Sequence, residues 1–208
     1  YENDKIQPAP VVLNKLAAAL GVKTAYLCTE PSIHIEFIAY RKGSGLLKRE
    51  QDTVESFVRQ SLEDRIQIQE LIGQIHGVDL PVKSQAVSSL EDTERVAVDF
   101  RKKWNLGLDP ISSVTGVLEE RLIHVLEIDA AERFDGISAV TYDDHRVTAA
   151  AVVSRRNIPG ERQRLNLAHE LGHLVLDIPT SVDEEAAAFR FGAAFLAPAE
   201  MVKREVGE

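Results

Sequence analysis

His169, Glu170 and His173 form a His-Glu-x-x-His sequence inside residues 165–176, Leu-Asn-Leu-Ala-His-Glu-Leu-Gly-His-Leu-Val-Leu. On a helix, residues four apart lie one turn apart on one face, so the two imidazoles can converge on a single ion. Glu170 follows the first histidine and projects toward the same place. Two nitrogen ligands and a carboxylate able to take a proton from water are the minimum of a zinc hydrolase. The expected assignment is His169 and His173 as ligands of one catalytic Zn2+ and Glu170 as the catalytic base. Such a zinc keeps three protein ligands and one open position. The third ligand should come from a neighbouring helix, because Pro179 turns the chain back. Thr180 or Ser181 can cap that returning helix, and Ser181-x-x-Glu184 has the capping-box form. Asp183, Glu184 and Glu185 all fall in its first turn, and spacing does not choose among them. The run that follows, Ala186 to Leu196, is rich in alanine, and small residues let one helix pack close to another.

These helices need elements to hold them. Residues 124–128, 134–142 and 146–153 read as strands, with Asp143-Asp144 as the turn of a hairpin between the last two. Residues 89–104 read as a helix capped by Ser89, with Asp92 at the capping-box position and Val96, Ala97, Phe100 and Trp104 on its apolar face. Pro110 opens a shorter helix through about Leu118. Upstream, residues 33–40 alternate as a strand does, and Gly43-Ser44-Gly45 marks a turn. A long polar helix over 47–75 carries Val54, Phe57, Val58, Leu62, Ile66, Leu71, Ile72 and Ile75 at spacings of mostly three to five. It reads as a connector between modules and as a surface for a homodimer. Residues 77–89, with Pro81, read as a linker and domain boundary. At the start, Val12, Leu13, Leu16 and Leu20 give one face of a helix stopped by Gly21, and a shorter helix follows around 24–28. His34, His124 and His145 have no partner at a ligand spacing and read as structural or surface histidines.

Composition bounds the class. The 208 residues are 44% hydrophobic and 27% charged, as in soluble globular proteins. No apolar run approaches the roughly 18–20 residues of a membrane span. The one cysteine, Cys28, fits a reducing cytoplasm and excludes an internal disulfide. The net charge of −9 lies mainly beyond residue 75, which argues against non-specific nucleic-acid binding by that part. A start at Tyr1 with Met201 as the sole methionine is expected of a trimmed chain or fragment.

Two resemblances sharpen these readings. Residues 90–200 resemble the ImmA/IrrE family of zinc metallopeptidases. Arg162-Gln163-Arg164-Leu165-Asn166-Leu167-Ala168-His169-Glu170-Leu171-Gly172-His173 looks like the signature helix of that family. The segment Glu185-Ala186-Ala187-Ala188-Phe189-Arg190-Phe191-Gly192-Ala193-Ala194-Phe195-Leu196-Ala197-Pro198 looks like its second motif. Pro110-Ile111 and Phe134-Asp135-Gly136 also fit the order of the family. The resemblance implies Glu185 as the third zinc ligand. It implies an α+β fold, mostly helical, zincin-like, with a small antiparallel sheet. It implies a metallopeptidase domain over 81–208, preceded by the strand and connector helix over 33–80. The chain departs from the family at Asp177, often His, at Gly192, often Ala, and at Phe189, often Asn or Asp. Phe189 would alter the shape of the pocket. For the group that steadies the oxyanion, Arg162, Arg164, Tyr142 and His145 are candidates by proximity in sequence.

Residues 1–32 resemble the second half of an Xre-type helix-turn-helix domain, through Tyr1-Glu2-Asn3-Asp4-Lys5, Pro8 and Leu13-x-x-Leu16-Ala17-x-x-Leu20-Gly21-Val22. The recognition helix of that family would lie before Tyr1, so DNA contact is expected only through that preceding part. Together the two imply a cytoplasmic, zinc-dependent endopeptidase in a transcription-regulatory protein. Its expected substrate is a repressor, cut in a stress or mobile-element response. The alternative is a DNA-binding regulator that uses the peptidase fold as a non-catalytic sensor.

Overall fold

The structure, a computed structural model, describes residues 8–28, 34–38, 47–73, 80–143 and 146–207. Tyr1 to Lys5, Gly43-Ser44-Gly45, Ile75, Asp144 and His145 lie outside them. The chain forms two compact units, Tyr1–Ser32 and Ile33–Glu208.

In the first unit, α1 (Pro10–Leu20) opens with Pro10 at its first position, where the missing N–H costs nothing. It ends at Gly21, whose φ of +69° closes the helix as expected. Helix α2 (Thr24–Leu27) is tied back through Thr24 Oγ1, which donates to Asn14 Oδ1 at 2.7 Å. The expected apolar face is only partly covered within the described residues. Ala17 is buried and Val12 and Leu13 are half-buried, while Leu16 and Leu20 are exposed.

The second unit is mixed α/β, mostly helical around a small sheet. Four strands lie in the order β1, β4, β5, β3. They are β1 (His34–Ile38), β3 (Ile123–Ile128), β4 (Gly136–Asp143) and β5 (Arg146–Arg155). The hairpin of β4 and β5 is antiparallel, and β1 joins β4 antiparallel. The sheet is nonetheless mixed and not purely antiparallel, because β5 inserts between β3 and β4 and runs parallel to β3. A second pairing joins β2 (Gln85–Ala86) in parallel to β6 (Leu176–Asp177), inside what the sequence reads as a linker and a helix end.

Both faces of the sheet are covered. On one, α3 (Lys48–Leu71) lays Val54, Val58, Leu62 and Ile66, each four residues apart, against Ile137, Ala139, Ala149, Ala151 and Val153. On the other, α4 (Leu90–Lys103), α6 (Gly160–Val175) and α7 (Glu184–Leu196) pack Phe100, Leu167, Leu171, Leu174, Phe191 and Phe195 over Val140, Ala150 and Val152. A strand covered on both faces reads as a continuous apolar run, which explains Ala149 to Val153. Val54, Val58, Leu62 and Ile66 are thus committed to the core of this unit, while Phe57, Leu71 and Ile72 of the same expected stripe are exposed.

The capping details also differ from expectation. Ser89 caps α4 through the Asp92 N–H at 3.3 Å, but the Asp92 carboxylate takes the Ser88 N–H at 3.0 Å instead of closing a box on Ser89. The short helix α5 (Val114–Glu119) starts at a Ser113 cap, beyond Pro110. Helix α8 (Ala199–Val206) ends the described chain. Arg101, 2% exposed, donates to the carbonyls of Gly107, Asp109 and Phe195 at 2.6–2.8 Å and so pins the end of α7 to α4.

His124 is a structural histidine, 6% exposed, with Nδ1 3.1 Å from Arg65 Nη1. Burial and then the Arg65 charge push it down to about 4. Its unfolded pKa is higher, so the unfolded chain binds the extra proton first as pH falls. Stability should therefore drop as pH falls from about 6.5 toward about 4. His124→Gln should flatten part of that slope in denaturant titrations run across this range. Leu62→Ala should cost about 2–5 kcal/mol in the same assay. A loss below about 0.5 kcal/mol would return α3 to the surface.

Candidate metal centre

Helix α6 starts at Gly160 after the extended Pro159 and lies on the sheet through Leu167, Ala168 and Leu171. Its N-terminal half is anchored by Arg162, which pairs with Asp135, and by Asn166, which donates to the Asp135 carbonyl at 3.2 Å. His169 and His173 then stand one turn apart. Their rings meet edge to face with centroids 4.6 Å apart, and the two Nε2 atoms are 3.0 Å apart. His173 is 1% exposed, and the His169 side chain is more open.

The returning helix brings one of the three carboxylates to the two histidines. Asp183, and not Thr180 or Ser181, is the N-cap of α7, its Oδ1 accepting the Ala186 N–H at 2.7 Å. Glu184 Oε1 lies 3.7 Å from His173 Nδ1, the outer ring nitrogen. Glu185 faces the shared point, with one oxygen 3.4 Å from His169 Nε2 and the other 3.5 Å from His173 Nε2. His169, His173 and Glu185 are the one group among the described residues whose donors could hold a metal ion. A tetrahedral zinc with bonds of about 2.0–2.1 Å sets its ligands about 3.3–3.4 Å apart. The observed separations of 3.0–3.5 Å fit that set. Among the described residues neither Nδ1 has a hydrogen-bond partner, and Glu184 is the carboxylate nearest that of His173, at 3.7 Å.

The charges follow from this crowding. Burial, then the neighbouring His173, push His169 down to about 4. Burial opposes a charge on His173 too. The hydrogen bond to Glu185 and the charges of Glu170, Glu185 and Glu184 outweigh it and raise that pKa. The pair holds at most one proton between its Nε2 atoms. Glu185 is held below the usual carboxylate range, chiefly by its hydrogen bond to His173.

Glu170 points into the sheet side of α6 and is 5% exposed. Burial pushes it up to about 7. Ser138 Oγ, on β4, lies 2.8 Å from both the Glu170 carbonyl and its Oε2. A hydroxyl has one proton to give, and a carbonyl only accepts. With the Ser138 proton on the carbonyl, a proton on the Glu170 carboxyl closes the second contact. Gly136 makes the space for that carboxyl: a Cβ there would stand 2.7 Å from Glu170 Oε1 and 2.9 Å from the Val153 carbonyl. Sequence reasoning gives Ser138 no role, and places Gly136 in a strand and in the family-like Phe134-Asp135-Gly136 without its role, because both act across 32 or more residues of chain.

Two further glycines set the helix separation. A Cβ on Gly172 would stand 3.0 Å from Cα and the carbonyl oxygen of Ala188, and one on Gly192 would stand 2.9 Å from the His169 nitrogen. The other candidates divide. Arg162 pairs with Asp135, and Arg164 donates to the carbonyls of Ser112 and Ile111, so both are held elsewhere. Tyr142 lines a cleft of about 780 Å³ that reaches Glu184 and Glu185, with Glu36, Lys83 and Ile178 among its walls. His145 lies outside the described residues. Phe189 is 54% exposed, its ring edge to face with His169 at 5.4 Å, so it does shape the approach to the site. Asp177 lies in β6.

A scan against protein-family models and a search of curated proteins both return no match to this chain. The resemblance of residues 90–200 therefore stands on its motifs alone. The spacing of α6 and α7 makes a test independent of any family. Gly192→Ala should push the helices apart at His169, cost about 1–3 kcal/mol in unfolding and weaken zinc binding about 10–100-fold in chelator competition. Unchanged zinc affinity would show that the helix separation does not set the ligand geometry.

Proposed function

We propose that this chain is a zinc-dependent endopeptidase of the ImmA/IrrE kind, acting within a cytoplasmic regulatory protein. One observation carries the reading: both Nε2 atoms and the Glu185 carboxylate converge within 3.0–3.5 Å, with the buried Glu170 carboxyl on the same turn of helix. His169, His173 and Glu185 would hold the metal, which when bound polarises a carbonyl and makes water acidic enough to react near neutral pH. Glu170, raised to about 7, is matched to taking and returning a proton in that range. Ser138 Oγ is 2.8 Å from its Oε2. The cleft beside Glu185 gives a peptide a way in, and Tyr142 is its candidate donor to a developing oxyanion.

The repressor substrate comes from the family resemblance and not from the geometry. The exposed thiol of Cys28 accords with a reducing compartment. Among the described residues no helix is long and apolar enough to cross a membrane.

Protein purified without chelator should carry about one zinc per chain, as a single three-ligand site requires. It should hydrolyse members of a fluorogenic peptide library. Glu170→Gln should retain the zinc while the rate falls by about 10²-fold or more. Absence of zinc would contradict the proposal. Zinc with no hydrolysis of any peptide would favour the sensor reading instead.

A further inference from the structure

On the α3 side of the sheet, away from the three-ligand cluster, a cavity of about 430 Å³ opens between the start of α3 and the ends of β3 and β5. Part of its wall is apolar: Val54, Ala130 and Ala131. Two carboxylates also line it, and each already has a cation. Glu50 pairs with Arg133, and Asp129 with Arg156 at 3.0 Å. Arg155, the last residue of β5, lines the cavity and has no such partner. Among the described residues its guanidinium makes no ion pair, and its Nε is buried with no hydrogen-bond partner. An arginine at an open surface loses little by standing alone. A buried guanidinium N–H loses its water without replacement, which is costly enough to be rare.

We propose that this cavity binds a small organic monocarboxylate through Arg155. A carboxylate matches the planar fork of a guanidinium with two parallel hydrogen bonds, which the two terminal nitrogens of the half-buried Arg155 would donate. The hydrocarbon part of the ligand would lie on Val54, Ala130 and Ala131. The lining charges select a monoanion. With Glu50 and Asp129 neutralised by their own arginines, one positive charge is left over. A phosphate dianion would bring a second negative charge toward those two carboxylates. The inference does not depend on the metal centre, because none of these residues belongs to it.

The probe is benzoate, with benzyl alcohol and inorganic phosphate as controls, followed by amide chemical shifts of the full chain. Saturable shifts are expected around residues 129–131 and 155–157, with a Kd of about 1 mM or tighter. Benzyl alcohol and phosphate should each bind at least about tenfold more weakly. Arg155→Gln should weaken benzoate about tenfold or more without lowering the unfolding temperature. Ala131→Leu, which narrows the cavity and leaves the arginine, should weaken the shifts as well, and it keeps the test open if the first variant fails to fold. The proposal is overturned if benzoate gives no saturable shift, if either variant binds it as the parent does, or if phosphate or benzyl alcohol binds as tightly. A fall in unfolding temperature in Arg155→Gln without ligand would also overturn it, since Arg155 would then have a structural partner.

Discussion

The close approach of α6 and α7 is the constraint on which the rest of this unit depends. The two histidines are fixed on one helix by their spacing of four. Glu185, the third candidate ligand, sits on another helix, so its distance from them is a packing distance. Gly172 and Gly192 set it from both sides: each presents bare backbone to the opposite helix where a Cβ would be within about 3.0 Å of backbone atoms. Ala187 and Ala188, both fully buried, continue the same contact. Farther down the helices, Phe191 and Phe195 stack at 5.9 Å and meet Phe100 and Trp104 edge to face. Small residues thus lie near the ligands, and large ones anchor the far end to α4. Arg101 fixes that far end by donating to three backbone carbonyls, those of Gly107, Asp109 and Phe195.

The sheet answers a second demand, a buried carboxyl beside the histidines. Burial alone would leave the Glu170 side chain without partners, and an unpaired buried polar group costs about 1–3 kcal/mol. Strand β4 solves this with two adjacent same-face positions. Gly136 leaves room for one carboxyl oxygen, and Ser138 contacts the other. The alanines of β5 let helices press on both faces of the strand at once, so α6 is held against β4 and β5 while α3 closes the opposite side. In this arrangement the buried carboxyl of Glu170 is placed by the sheet, and the candidate ligands by the helix pair. The two parts meet only on α6.

Much of this is legible in the chain, and the limits have physical causes. His169, Glu170 and His173 can be read directly, because a helix converts a spacing of four into proximity. The hairpin of β4 and β5 is equally local. Choosing Glu185 over Asp183 and Glu184 is not local, since it depends on which carboxylate caps α7 and which faces α6. Only the folded chain shows Asp183 occupied by the Ala186 N–H. The contacts of Ser138 and Gly136 with Glu170 carry no local signal, since both are strand residues until α6 lies over them. Helix α3 meets the same limit. A stripe at every fourth residue on a polar helix suits a second helix or a sheet equally well, and tertiary packing decides. The pairing of β3 with β5, and of the two-residue β2 with β6, joins residues far apart in sequence and leaves no periodic trace.

The most direct test of the account is X-ray absorption at the zinc edge on zinc-loaded protein, compared with Glu185→Ala and Glu184→Ala. The account predicts two imidazole nitrogens and carboxylate oxygen at about 2.0–2.2 Å in the parent. It predicts loss of the carboxylate contribution in Glu185→Ala and its retention in Glu184→Ala. A zinc environment without two imidazoles, or one unchanged by Glu185→Ala, would contradict it.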